Sequence, residues 1–314
     1  MTNPIAYRRV AEELKKSIDD LLGSVGLLCR VFGRGKTPGS LKRKLEQIPN
    51  KYSVGKRLIQ DAVGIRVIVY FPEDINIVEE ILRLKYECDD ASCTVDVPNA
   101  SVFSVTRHNL IFKVPPEWAR DMQPLTAGSP VDSTFEVQLR TILSEGWHEV
   151  EHDLRYKRQQ DWTDFDALSR NLNGVVATLE TAEWSMRKIF DDLAYHHYKA
   201  KKWEAMLHTA LRMRINADLS LQIIRVIDAN PSLAKDLFRI NRATLFRSLA
   251  ALAPKLPLTL DNVVYLWNFL YSCNVDIKDL TPQIAKETFG AAFRPNHIEQ
   301  ECGQIASGVV LIRV

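Results

Sequence analysis

The sequence predicts an α+β fold, a mixed and largely antiparallel sheet flanked by helices, followed by an all-helical region. Three observations predict it. A nine-residue apolar run at 63–71 is interrupted only by Gly64 and Arg66, and it is short and β-branched, as a central strand is. At 135–140, Phe135, Val137 and Leu139 alternate with Glu136, Gln138 and Arg140, the period-two pattern of a half-buried strand. Amphipathic helical spacing surrounds both segments, and beyond about Lys199 it takes over almost entirely.

The elements follow in order. Residues 7–32 predict a helix with Val10, Leu14, Ile18, Leu21 and Leu22 on one face. The basic segment 34–45 reads as a loop opening a helix, with Pro38 near the first turn and Ser40 placed to satisfy free backbone amides. After the strand at 63–71, Asp74 predicts the N-cap of a helix carrying Ile75, Val78, Ile81 and Leu82. Residues 94–97 and 110–114 predict strands separated by a polar loop, the second ended by Pro115-Pro116. Residues 117–133, with Pro124, Gly128 and Pro130, predict an irregular connection. The strand at 135–140 then feeds a helix with Leu143, Trp147, Val150 and Leu154 at helical spacing, and helical patterning continues through 166–196.

These elements define a first domain at residues 1–198 and a helical accessory domain at 199–314. In the latter, 203–229 and 233–252 predict amphipathic helices with Pro231 between them, and Pro254 and Pro257 mark a loop. Asp261 predicts the cap of a helix at 263–271, Thr281-Pro282 starts another, and 308–314 predicts a short strand. The aromatics Phe238, Phe246, Tyr265, Trp267, Phe269 and Tyr271 fall at helical spacing, where such residues form core. This domain could regulate, dimerise or bind a partner.

The chemistry concentrates in three blocks. The outer face of the strand at 135–140 carries Glu136, Gln138 and Arg140 about 7 Å apart. A metal-binding carboxylate beside an anion-binding arginine on one strand suits a polyphosphate. Five cations fall within the eleven residues 34–44, and oriented amides with lysines make an anion site. Asp61 and Arg66 bracket the start of the central strand, where a buried arginine needs an anion or an aromatic face; an internal Asp61–Arg66 ion pair is the plain alternative. His148-Glu149-Val150-Glu151-His152 also matches the zinc pattern H-E-x-x-H, but Arg155 and Arg158 stand where the longer metzincin motif requires Gly and His.

Together the blocks resemble the RelA/SpoT synthetase domain, whose members transfer pyrophosphate from ATP to a nucleotide 3′-hydroxyl. The resemblance rests on Glu136 to Thr141 (Glu-Val-Gln-Leu-Arg-Thr) with Trp147, Glu151-His152, Leu154 and Tyr156-Lys157. It rests also on the spacing of Arg34, Lys36, Ser40 and Lys44, and on Asp61 with Arg66. It implies a nucleotidyltransferase-like synthetase fold and an ATP-dependent pyrophosphokinase. Arg34, Lys36, Ser40 and Lys44 would bind ATP, with Arg34 and Arg66 stacking on its adenine. Asp61 and Glu136 would hold Mg²⁺, and Gln138 and Arg140 would orient substrate or Glu136. The family's full-length members carry an N-terminal hydrolase domain, and with about thirty residues before Arg34 the chain is expected to be a synthetase without one.

The acceptor side departs from the family. Guanine-using synthetases place a Tyr-x-Ser-x-His segment before the strand that 110–114 matches; aligned on that strand, Val105 takes the tyrosine position and Asn109 the histidine position. Losing one stacking platform removes about 1–3 kcal/mol per base, about tenfold or more in affinity. Phe103 could supply the ring if the loop shifted by two residues, and Phe103, Arg107, His108 and Asn109 are the candidate acceptor contacts. A guanine nucleotide is the expected acceptor. A tRNA 3′ end or an adenine nucleotide is the alternative, as is a non-catalytic nucleotide sensor.

Composition fits a cytoplasmic enzyme. Of 314 residues, 46% are apolar and 25% charged, and the net charge of +2 makes the cations local devices rather than a general nucleic-acid surface. No run reaches the length of a membrane span, and no membrane partner is expected. Cys29, Cys88, Cys93, Cys273 and Cys302 are scattered without a C-x-x-C pair, so reduced thiols are expected. Expected partners are ATP and a nucleotide acceptor, with tRNA, a second copy or a regulatory protein as further candidates.

Overall fold

The computed structural model describes residues 4–47, 52–53, 57–97, 106–126, 130–252 and 255–293. The chain packs as two compact units, one of residues 1–22 and 29–185, the other of 23–28 and 186–314.

The first unit is built on a five-stranded sheet in the order β1-β2-β5-β4-β3. Its strands are β1 (Cys29–Gly35), β2 (Val63–Val69), β3 (Thr94–Val95), β4 (His108–Lys113) and β5 (Thr134–Thr141). Only β2 and β5 run parallel; the other three pairings are antiparallel, so the sheet is mixed and largely antiparallel. The central pair is buried because Val63, Ile65, Val67 and Val69 alternate with Gly64 and Arg66, and Phe135, Val137 and Leu139 with Glu136 and Gln138. Behind the sheet, Tyr86 packs edge-on to Phe135 at 5.4 Å, and Phe135 stacks on Phe112 at 5.5 Å.

The N-terminal segment is not one helix to residue 32. Helix α1 (Pro4–Ser24) ends, and Phe32 lies in β1. The expected apolar face is correct, with Val10, Leu14, Ile18 and Leu22 all buried. Strand and helix pack closely because Gly33 and Gly35 lack side chains: a Cβ there would lie 2.6 Å from the Ala11 carbonyl oxygen and 2.5 Å from Tyr7 and Arg8 backbone atoms. Pleat alternation then sends Arg30, Phe32 and Arg34 to the other face.

Helix α2 (Pro38–Gln47) starts at its proline, but Thr37 rather than Ser40 serves its first turn, accepting from the Ser40 amide at 3.3 Å. In helix α3 (Asp74–Lys85) the cap position is Glu73, and Asp74 is a buried first-turn residue. Residues 116–126, expected to be irregular, form helix α4 (Pro116–Thr126), because Pro116 occupies a first-turn position that needs no amide and Glu117 favours the N-terminus. Helix α5 (Ile142–Leu154) follows β5 directly, capped by Thr141, whose hydroxyl accepts from Ser144 N at 3.2 Å. A 34-residue helix, α6 (Asp166–Lys199), follows.

The second unit is helical. The expected pair of long helices is four shorter ones: α7 (Trp203–Leu211), α8 (Leu221–Ala229), α9 (Pro231–Phe238) and α10 (Arg242–Leu252). Then come α11 (Leu260–Trp267), α12 (Val275–Leu280) and α13 (Gln283–Ala292). Thr259 caps α11 by accepting from Asn262 N at 3.1 Å, whereas Asp261 accepts from Ser220 N at 2.9 Å and so ties two segments together. Phe246, Tyr265 and Trp267 are buried, as their spacing predicts. Cys88 and Cys93 are thiols with their sulfurs 3.5 Å apart, whereas Cys273 is disulfide-bonded, against the expectation of reduced thiols throughout. The expected strand at 308–314 lies outside the described residues. No described helix is long and apolar enough to cross a membrane.

Candidate active site

Strand register builds the site. Across the sheet, Phe32 pairs with Arg66, Arg66 with Gln138, and Gln138 with Asn109, so one transverse row carries an aromatic ring, a guanidinium and two amides. The next row runs Arg34, Gly64, Glu136, Ile111. Cross-strand partners share a face, so these side chains converge on one surface. A cavity of about 350 Å³ opens there, lined among others by Phe32, Arg34, Asp61, Arg66, Glu136 and Gln138. Gly64 leaves its floor open: a Cβ at that position would meet only the Arg34 carbonyl oxygen, at 3.8 Å.

Charge is arranged around two carboxylates. Lys36 Nζ lies 2.5 Å and Lys44 Nζ 2.7 Å from the same oxygen of Asp61, and the Lys36 amide donates to the Ala62 carbonyl at 2.8 Å. The three groups thus come from the residue after β1, from α2 and from the entry to β2. Burial raises the Asp61 carboxyl, but the two ammonium groups outweigh it and hold it below its ordinary value. Burial also lowers Lys36, with Asp61 opposing. The other Asp61 oxygen is buried without a hydrogen-bond partner. Glu136 is held differently: Asn109 Nδ2 donates to one oxygen at 3.1 Å and Gln138 Nε2 to the other at 2.8 Å.

Arg66 does not pair with Asp61. It donates to Glu145 and Glu149, one turn apart on α5. Arg140, almost fully buried, approaches Glu145 from the other side at 3.4 Å. Burial lowers Arg140, and the Arg66 cation adds to this while Glu145 opposes it. The cations turn α5 inward: Glu145 and Trp147 are buried, whereas Val150 and Leu154, expected to be inward, are exposed.

Glu145, Glu149 and Phe32 are the site residues that sequence reasoning missed. Glu145 and Glu149 sit at i and i+4 on α5, a spacing visible in the sequence.

The zinc reading of the same helix finds no support. Glu149 serves Arg66, and no metal-capable group of three or more among the described residues includes His148 or His152. Their rings stack at 5.8 Å, and His152 stacks on Tyr156 at 5.6 Å. Burial, with Arg140 and Arg66 nearby, lowers His148 to about 4.

The remaining expected residues divide. Ser40 lies on α2 with its hydroxyl accepting from Thr37 at 3.0 Å. Asn109 faces Glu136, but His108, one residue earlier, points to the opposite face and pairs with Glu79 on α3 at 2.6 Å. Arg107 is engaged by Asp96 through its side chain and backbone amide, each contact at 2.9 Å. Arg107, His108 and Arg140 line a second cavity of about 270 Å³ with Trp147 and Trp184, away from Asp61 and Glu136. Phe103 and Val105 lie outside the described residues.

Residues 33–161 match the family described as the region found in RelA / SpoT proteins. The matched stretch runs from β1 to beyond α5 and so holds Arg34, Lys36, Asp61, Arg66 and Glu136. Among solved structures it is similar to the small alarmone synthetase 1 of Bacillus subtilis, at 22% identity over 59% of this chain and 92% of that one, with a TM-score of 0.46. It is similar also to a GTP pyrophosphokinase family protein of Streptococcus pneumoniae, at 22% identity over 59% and 90% of the two chains and a TM-score of 0.44. The Bacillus subtilis enzyme bound to its product pppGpp matches at 23% identity over 60% and 95%, with a TM-score of 0.43. No curated protein matches the chain.

Proposed function

We propose that the protein is an ATP-dependent pyrophosphokinase that transfers pyrophosphate to the 3′-hydroxyl of a guanine nucleotide. The observation that carries this reading is the convergence of Lys36 and Lys44 on one oxygen of Asp61, in a cavity shared with Arg34, Arg66 and Glu136, inside the RelA/SpoT region.

The donor is ATP. Arg34, Lys36, Ser40 and Lys44 bind its phosphates, and Arg34 and Arg66 flank its adenine, with Phe32 as a further wall. The two lysines transfer part of their pairing from Asp61 to the incoming phosphates, and Asp61 gains room for a cation. Asp61 and Glu136 fit Mg²⁺: Asp61 has an oxygen without a partner, and Glu136 has each oxygen held by an amide donor with lone pairs to spare. When bound, the ion would neutralise charge developing on the phosphates.

The 3′-oxygen attacks the β-phosphorus, the bond from that phosphorus to the α–β bridging oxygen breaks, and AMP leaves. Glu136 takes the hydroxyl proton, and Asn109 and Gln138 fix its direction. Arg140 steadies Glu145, which holds Arg66. The protein's work is positioning and charge neutralisation, as in other phosphoryl transfers. The substrates set the enzyme in the cytoplasm.

The test is stoichiometry. Incubation with ATP, Mg²⁺ and GDP or GTP should release one AMP per guanosine 3′-pyrophosphate formed. AMP release without that product, or neither, would refute the reading.

A further inference from the structure

We propose that Cys88, Asp90 and Cys93 form a binding site for a thiophilic divalent cation of the zinc class, separate from the donor cavity. One ligand atom from each residue lies within 4.8 Å of the others, and the two Sγ atoms are 3.5 Å apart. With metal–sulfur bonds of about 2.3 Å, the edge of a tetrahedral site is about 3.8 Å, so two thiolates are already at near-ligating separation. The C-x-D-x-x-C spacing stays within the range seen for paired cysteine ligands.

The turn that carries the ligands is held from outside. The Asp89 amide donates to the Ile111 carbonyl at 2.8 Å, and the Ile111 amide donates to Cys93 Sγ at 3.2 Å. Gln60 Nε2 donates to Asp89 Oδ2 at 3.1 Å and to Ser92 Oγ at 2.9 Å. Arg83 Nη1 lies 2.6 Å from Asp90 Oδ1, leaving the second carboxylate oxygen for the cation. Two thiolates and a carboxylate around a divalent ion leave one net negative charge, and Arg83 offsets it. Each thiol gives up its proton on binding, so two protons are released per ion. Water would take the fourth position, since Asp90 is exposed.

Because Gln60 precedes Asp61, an ion in the turn would also stiffen the backbone leading to the donor carboxylate.

Reduced, metal-free full-length protein titrated with Co²⁺ should bind one ion with sulfur-to-metal charge-transfer absorption, and Zn²⁺ should displace it. Cys88→Ser with Cys93→Ser should abolish the absorption, and Arg83→Ala should weaken Zn²⁺ binding about 10–100-fold. In the unmutated protein, Zn²⁺ should slow alkylation of Cys88 and Cys93 by iodoacetamide, mapped by mass spectrometry. Absorption that persists in the double variant would overturn the proposal. So would unchanged alkylation of both cysteines in saturating Zn²⁺, a result that does not depend on any variant folding.

Discussion

Asn109 stands directly across the β4–β5 ladder from Gln138, and the two side-chain amides divide the oxygens of Glu136 between them. The carboxylate is aimed from both sides. Asn109→Ala or Gln138→Ala should lower kcat about 10–100-fold, the usual effect of losing an orienting partner of a ligand. KM for ATP should change much less. A fall in ATP affinity with kcat preserved would assign these amides to substrate binding instead.

Asp61→Asn and Glu136→Gln each remove a carboxylate charge on a near-isosteric side chain. Transfer should drop by at least about a hundredfold in either variant, with circular dichroism unchanged. Activity within a few-fold of the unmutated protein would exclude that residue as a magnesium ligand.

Arg34 and Arg66 should separate in their effects. Arg34 is exposed at the cavity, so Arg34→Ala should weaken ATP binding by about 0.5–2 kcal/mol and leave stability alone. Arg66→Ala also leaves the buried Glu145 with a weaker partner set, and should cost about 1–3 kcal/mol of folding stability besides. Calorimetry and urea denaturation read the two. Equal stability loss in both variants would contradict the arrangement.

Gly64 is small for the cavity rather than for the chain. Its Cβ position is open, so Gly64→Val should narrow the ATP site and raise KM about tenfold or more, while stability holds or rises by up to about 1 kcal/mol. A destabilised variant with normal KM would show that backbone packing needs the glycine.

His148 gives a pH dependence whose sign follows from its depressed value. Folded His148 is neutral down to about 4, whereas the unfolded side chain takes its proton near 6.5. The unfolded state therefore binds more protons in this window. The contribution is present above 6.5 and is lost as pH falls toward 4. Because the ring is partly exposed, screening limits it to on the order of 1 kcal/mol. His148→Gln should flatten the stability difference between pH 7 and pH 4.5. An identical pH profile in the variant would place the titration elsewhere.

The central strands and the α5 helix are legible because the apolar period changes from two to helical at Thr141, with Trp147 marking the buried side. Strand β1 was not legible. The apolar face of α1 runs on through Val25 and Leu27 without a proline, and the turn depends on Gly26 at φ +73°, a single residue in the sequence. Helix α4 was masked by Pro115-Pro116, which reads as a stop but supplies a helix start. Among the site residues, Lys36, Lys44, Asp61 and Glu136 are picked out by the resemblance to the family's blocks. Glu145 and Glu149 did not, since a carboxylate on a helix surface looks solvated until the arginine that draws it in is placed by another strand. The caps at Thr37 and Thr259 are hard to tell from their neighbours in the sequence because several hydroxyl or carboxylate side chains compete for one turn.

The most direct measurement uses ATP labelled in its γ-phosphate, offered with GDP, GTP, ADP, ATP or deacylated tRNA. The account predicts label transferred to the 3′-position of GDP or GTP, dependent on Mg²⁺ and absent in Glu136→Gln. Label on tRNA or adenine nucleotides alone would contradict the guanine acceptor, and no transfer to any of them would contradict the pyrophosphokinase itself.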